Sequence, residues 1–164
     1  PPAPACYAAA MPRTDARALA ADRQRAGSDP EVSAFVTASA GSGKTKLLTD
    51  RILRLLLAGA RPQGLLCLTF TKAAAAEMAT RLNDRLGDWA IETDAAILGD
   101  LRALLGRVPE PHEVARARTL FAEVLELPGG MRIATIHSFA QTLLRSFPLV
   151  ANLPPGFALM EEMD

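Results

Sequence analysis

One stretch of the chain combines residue types that together can hold a phosphate group: the eight residues ASAGSGKT at positions 38–45. In a loop of small residues the backbone N–H groups can point inward at phosphate oxygens, because no large side chains stand in the way. Gly41 and Gly43 give the loop that freedom. Lys44 can place its charge on the β- and γ-phosphates of a nucleotide, and the hydroxyl of Thr45 can ligate Mg²⁺.

The loop therefore predicts a site for ATP and Mg²⁺, with Lys44 and Thr45 as catalytic residues and Thr45 as the metal ligand. The loop residues predicted to contact the nucleotide are Ser39, Ala40, Gly41, Ser42, Gly43, Lys44 and Thr45. The generic pattern has glycine where this chain has Ala38. A chance glycine-serine turn before a basic helix would look similar, but the complete GSGKT between a predicted strand and a predicted helix favours a phosphate loop.

A phosphate loop needs a strand before it and a helix after it, and the sequence predicts both. The run VSAFVT at residues 32–37 is apolar and β-branched, which is typical of a buried strand. Residues 44–58 predict a helix in which Arg51 and Arg54 lie away from the apolar stripe. That stripe consists of Leu48, Ile52, Leu55 and Leu56.

The order of strand and helix recurs twice more. LLCLTF at 65–70 predicts a second strand, and a helix with the stripe Met78, Leu82 and Leu86 follows it. Residues 131–136 predict a third strand with a helix after it, and two more helices are expected between 91 and 127. This alternation predicts an α/β fold, a parallel sheet with helices on both faces that binds ligands at the carboxyl ends of its strands.

The composition is that of a single globular domain, with 49% hydrophobic and 22% charged residues. Lysine plus arginine equals aspartate plus glutamate, at 18 each, so the overall charge gives no argument for a nucleic-acid partner. No apolar run is long enough to cross a membrane, and Cys6 and Cys67 fit neither a metal pattern nor a disulfide framework. We therefore expect a cytoplasmic protein.

The domain boundaries follow from the same pass along the chain. Residues 1–21 are expected to be a disordered or non-native extension, and residues 22–164 are expected to form a domain with a helical insertion at about 88–128.

Three motifs in order resemble those of superfamily 1 DNA helicases of the UvrD, Rep and RecB type. ASAGSGKT, with alanine first, looks like their Walker A loop. LTFTKAAAAEM at 68–78 is similar to their motif Ia, and ATIHSF at 134–139 is similar to their T-x-H-S-F motif. Gln24, twenty positions before Lys44, matches the glutamine that reads adenine in that family. The resemblance covers residues 22–164 and implies a P-loop, RecA-like fold whose sheet is incomplete within this chain.

The resemblance also implies a set of DNA contacts: Phe70, Thr71, Lys72, Thr135, His137 and Ser138. Phe70 could stack on an unstacked base, a contact that contributes about 1 to 3 kcal/mol whatever the base. An aromatic residue at a strand end is otherwise usually a core residue, and a lone histidine such as His137 is usually structural. Glu77 lies four residues before Arg81, which predicts an ion pair rather than a catalytic carboxylate.

The sequences of residues 35–57 and 66–82 are most similar to the AddA branch, the helicase-nuclease component of double-strand-break repair. The resemblance implies an ATP-dependent DNA helicase that works with an AddB-like subunit, and it implies a nuclease outside this chain. The acidic pair needed for hydrolysis is expected outside it too, so the chain alone should be inactive. Two alternatives remain open: another P-loop ATPase or kinase, and a truncated module that only binds nucleotide or single-stranded DNA.

Overall fold

The computed structural model describes residues 13–37, 43–154 and 156–157 of the chain. Over these residues the protein is a helix-rich α/β structure with a small parallel sheet. In chain order the α-helices and strands are α1 (Arg13–Gly27), α2 (Lys44–Leu57), β1 (Leu66–Thr69), α3 (Lys72–Ile91), α4 (Asp94–Leu105), α5 (Pro111–Leu125), β2 (Arg132–Thr135) and α6 (Ile136–Ser146), and a 3-10 helix (Pro62–Gly64) precedes β1. No helix within the described ranges is both long and apolar enough to cross a membrane.

Strands β1 and β2 pair in parallel, as the alternation of strands and helices predicts. Leu66 lies opposite Arg132, and Thr69 lies opposite Thr135, so both strands end at the same level. Parallel strands need a long connection between them. Here that connection contains α3, α4 and α5. The two helices predicted between 91 and 127 are thus confirmed as α4 and α5.

The prediction of a strand at residues 32–37 was wrong, because the structure describes all six residues and none of them is in a strand. The described sheet contains β1 and β2, which pair with each other. Residues 32–37 are exposed throughout, and the side chain of Phe35 is 94% exposed. A strand exists only when a neighbour completes its ladder of hydrogen bonds. The run has the composition of a strand but has no such neighbour among the described residues.

The hydrophobic core lies between the helices rather than around the sheet. Helix α3 contributes the predicted stripe of Met78, Leu82 and Leu86, all buried, and Trp89 extends it by one turn. The other buried core residues are Ile52, Leu53, Leu56, Leu57, Ile97, Leu101, Leu104, Ala117, Leu120 and Val124. These come from α2, α4 and α5, so α2 is packed firmly into the rest of the molecule.

The predicted stripe of α2 is confirmed in part, because Ile52 and Leu56 are buried and its other two members are not. Leu48 is 45% exposed and Leu55 is only partly buried, whereas Leu53 and Leu57 are buried. Leu48 and Leu55 line an apolar groove beside β1 instead of packing among the helices. Because α2 is apolar over more than half its circumference, periodicity alone does not decide which side meets the core.

Helix α1 begins at Arg13, within the stretch 1–21 that was predicted to be an extension; residues 1–12 of that stretch lie outside the described residues. The helix is rich in alanine and arginine, which have high helix propensity. Leu19 on it is 41% exposed. A helix with so little apolar surface gives no periodic signal, which is why the sequence did not predict it.

Candidate nucleotide and DNA site

The predicted phosphate loop ends at the start of helix α2, where the structure describes Gly43. The backbone of Gly43 has a φ of 87°, in the left-handed region that glycine adopts without strain. Lys44 and Thr45 form the first turn of α2, where the backbone N–H groups have no partner within the helix and the helix dipole is positive. The remaining loop residues predicted to contact nucleotide, Ser39, Ala40, Gly41 and Ser42, lie outside the described residues.

Gln24 of α1 lies directly beside this end of α2. A methyl group added at Gly43 would stand 2.8 Å from Nε2 of Gln24. The structure therefore brings together two predicted site residues that are nineteen positions apart in the sequence. The side-chain amide of Gln24 occupies the space that the absence of a side chain at Gly43 leaves open.

Two arginines that the sequence placed only on other faces of α2 hold α1 in this position. Arg51 donates to the carbonyl oxygens of Asp29 (2.6 Å) and Val32 (2.6 Å). Arg54 donates to the carbonyl oxygen of Arg25 at 2.7 Å. Sequence reasoning missed this function. The available signal was two arginines three residues apart and half-buried on an otherwise apolar helix.

The carboxyl end of β1 carries the residues of the second motif. Phe70 follows the strand and is 83% exposed. The hydroxyl oxygen of Thr71 accepts a hydrogen bond from the backbone N–H of Ala74 at 3.1 Å and so caps helix α3. Lys72 is the first residue of that helix and is exposed. An aromatic ring, a lysine and a helix N-terminus thus lie within three residues.

At the carboxyl end of β2 a threonine also caps the helix that follows. The hydroxyl oxygen of Thr135 accepts a hydrogen bond from the backbone N–H of Ser138 at 3.1 Å and caps helix α6. Thr135 itself is buried, at 9% exposure, whereas His137 and Ser138 in the first turn of α6 are exposed. Thr135 therefore fixes where the helix begins, and His137 and Ser138 form the accessible surface.

The strand register brings these two motifs next to each other. Thr69 and Thr135 are partners in the parallel pair, so the residues that follow them leave the sheet at one edge.

Glu77 forms the predicted exposed ion pair with Arg81 at 2.6 Å, which confirms that it has a surface role. Within the part of the chain that the structure describes, no group of three His, Cys, Asp or Glu residues could hold a metal ion.

Comparison with known proteins gives the same family as the three motifs. The model of the UvrD/REP helicase N-terminal domain matches residues 19–164, which is nearly the whole chain. The chain belongs to the UvrD/REP helicase family. The matched region begins within α1 and includes Gln24, the predicted phosphate loop and both motifs at the sheet edge.

Several curated proteins that share one name are similar to this chain. An ATP-dependent helicase/nuclease subunit from Lactobacillus gasseri is 32% identical over 142 residues, covering 86% of this chain and 10% of the relative. The proteins of the same name from Lactobacillus johnsonii and Anoxybacillus flavithermus are 34% and 35% identical, each covering 78% of this chain and 9% of the relative. The chain spans about a tenth of the length of these curated relatives.

In this UvrD/REP domain a polar network ties the phosphate-loop helix to the helix behind motif Ia. Arg85 of α3 donates to Asp50 of α2 at 2.7 Å and makes two hydrogen bonds of 2.8 Å to Asp100 of α4. The indole N–H of Trp89 also donates to Asp100, at 2.6 Å. Burial opposes the charge on Arg85, but the hydrogen bonds to Asp100 and Asp50 outweigh it and raise the pKa of Arg85. The guanidinium group of Arg85 therefore links helices α2, α3 and α4.

Proposed function

We propose that the full-length protein containing this chain is an ATP-dependent DNA helicase, the helicase-nuclease component of a double-strand-break repair enzyme. The observation that carries the proposal is the meeting of Gln24 with Gly43 at the start of α2, in a chain whose family is that of UvrD/REP helicases. The fold of the complete domain is proposed to be the P-loop, RecA-like type. The chain supplies the first ATP-binding and DNA-binding parts of that domain.

The nucleotide would lie across the start of α2. The backbone N–H groups of the loop 39–45 would bind its phosphates, Lys44 would neutralise their charge, and Gln24 would meet the adenine base. Mg²⁺ would be held by the hydroxyl of Thr45 together with phosphate oxygens and water. One protein oxygen suits this ion, which keeps several waters and binds substrate phosphates. The ion would stabilise the charge that develops on the terminal phosphate.

Single-stranded DNA would cross the edge where β1 and β2 end. Phe70 is exposed enough to stack on a base, and Lys72 with the N-terminus of α3 suits a backbone phosphate. His137 and Ser138 would provide hydrogen bonds from the neighbouring strand end. Thr71 and Thr135 would keep these groups in place through their capping bonds.

The partner and the remaining activities belong to the complete protein. The relatives are named as subunits, which favours a complex with a second, AddB-like polypeptide, and "helicase/nuclease" in their name favours a nuclease elsewhere in the full-length chain. Because the proposed enzyme would act on chromosomal DNA, we expect it in the cytoplasm. We also expect the chain alone to lack DNA-stimulated ATP hydrolysis, which needs an acidic pair in addition to Lys44 and Thr45.

The proposal predicts that Lys44→Ala in the full-length protein abolishes ATP-driven unwinding but leaves most of the affinity for single-stranded DNA. The reason is that Lys44 would act on the phosphates and not on DNA. Unwinding of a labelled duplex and binding of a labelled single strand are the two measurements. Lys46→Ala, two residues further along α2 and also exposed, is the matched control and should retain unwinding. Unchanged unwinding by Lys44→Ala would exclude the proposed role.

A further inference from the structure

The C-terminal end of α1 is capped by side chains from another helix. The last carbonyl groups of a helix have no partner within it and carry partial negative charge. In α1 and the residues just after it, these carbonyls receive hydrogen bonds from the guanidinium groups of Arg51 and Arg54. Arg54 also donates to the hydroxyl of Ser28 at 2.9 Å, and that hydroxyl donates to the carbonyl oxygen of Arg25 at 3.1 Å.

The cap lies immediately after Gln24. The carbonyl oxygen of Gln24 accepts from the backbone N–H of Ser28 at 3.0 Å, and the next carbonyl, that of Arg25, accepts from Arg54. Ser28 is only 2% exposed. The backbone that carries Gln24 is therefore bonded, directly and through Ser28, to α2.

Close packing leaves this joint little room to move. A methyl group added at Gly27 would stand 2.8 Å from Cδ1 of Leu47, so the backbone at the end of α1 packs directly against this side chain of α2. Leu47 is buried at 8% exposure. The helix that begins with Lys44 thus also holds the helix that carries Gln24, and it fixes the distance between the two residues.

We propose that Arg54, supported by Arg51, is a positioning residue for base selection: it holds the Gln24 amide at a fixed reach from the phosphate loop. The inference rests on the proposed function, since it takes Gln24 as the residue that meets the base. A glutamine amide has one donor side and one acceptor side, which match the N6 donor and N7 acceptor of adenine. Guanine has an oxygen acceptor in place of the N6 donor, so a correctly held amide prefers ATP to GTP.

The test measures kcat/KM for single-strand-dependent hydrolysis of ATP and of GTP by the full-length protein. Gln24→Ala should lower the ratio of ATP to GTP about tenfold, the order of one such pair of hydrogen bonds. Arg54→Gln should lower the ratio nearly as far, and Arg54→Lys, which keeps a donor, should lower it less. In the Gln24→Ala background, Arg54→Gln should change the ratio no further, because the residue to be positioned is gone.

Arg102→Gln is the matched control, since Arg102 is exposed near the end of α4 and should keep the wild-type ratio. An Arg54→Gln protein that hydrolyses both nucleotides more slowly at an unchanged ratio would overturn the inference and leave the role of Gln24 intact. A Gln24→Ala protein with the wild-type ratio would overturn the adenine assignment and this inference with it. If Arg54→Gln does not fold, Arg54→Lys and Ser28→Ala carry the test, and wild-type ratios in both would overturn the inference.

Discussion

Gly43 is the residue at which the separate parts of the proposed nucleotide site meet. Its φ of 87° suits glycine, and the amide of Gln24 fills the space beside it. The sequence predicts Lys44 and Thr45 as site residues because the phosphate-loop pattern is local. Gln24 was named through its distance in sequence from Lys44, and only the structure puts its amide next to Gly43. A spacing of twenty residues contains no geometric information until the fold between them is known.

At the scale of single residues, Phe70→Ala should weaken binding of the full-length protein to single-stranded DNA by about 1 to 3 kcal/mol, or roughly 5- to 150-fold. The stability of the fold should change little, because the ring is 83% exposed. Fluorescence anisotropy of a labelled oligonucleotide measures the affinity at fixed salt.

Phe147→Ala is the control for that prediction. Phe147 is also an exposed phenylalanine, at 61%, but it lies just after α6, at the end away from the strand edge. Its removal should leave the affinity within about twofold of the wild type, as for a surface substitution away from the site. Equal losses for the two variants would mean that Phe70 has no special contact with DNA.

At the scale of the elements, helix positions follow from local signals and strand pairing does not. Helices α3, α4 and α6 each begin after a threonine whose hydroxyl caps the first turn, at Thr71, Thr93 and Thr135. Such caps and the buried stripe of α3 can be predicted from neighbouring residues. The run 32–37 has the residues of a strand, yet its state depends on a partner distant in sequence. Long-range polar ties such as Arg85 with Asp50 also leave no periodic pattern.

The junction of α2, α3 and α4 should depend strongly on Arg85. Arg85→Ala removes both bonds to Asp100 and leaves Asp50, whose side chain is 8% exposed, paired with Lys46. Breaking a buried pair by removing one partner costs about 3 to 5 kcal/mol. Because the side chain of Asp100 is 39% exposed, we expect a loss of about 2 to 4 kcal/mol in the free energy of unfolding. Urea unfolding of the 164-residue chain measures it.

Arg81→Ala provides the comparison on the same helix, one turn earlier. Arg81 also forms an ion pair, with Glu77, but both side chains are about half exposed. Exposed pairs four residues apart on a helix contribute only about 0.3 to 0.5 kcal/mol. The two arginines should therefore differ by severalfold in their effect, and similar losses would show that the network at Arg85 does not hold the helices together.

At the scale of the whole molecule, the chain has a helical core and a thin sheet. No residue of α6, all of which the structure describes, is buried, although Leu143 and Phe147 make one side of this segment apolar. The two strands carry their motifs to one edge, as the predicted parallel sheet requires. The sequence predicted that edge because the order of elements dictates it. It did not predict the capping of α1 by α2, because contacts from side chains to backbone across 22 to 29 positions follow no repeat.

The most direct test of the nucleotide site is a structure of the full-length protein with a non-hydrolysable ATP analogue and Mg²⁺ bound. We predict that the β-phosphate lies within hydrogen-bond distance of the backbone N–H groups of Lys44 and Thr45, with the adenine against the amide of Gln24. A nucleotide bound elsewhere, or one whose phosphates point away from the start of α2, would contradict the proposed site.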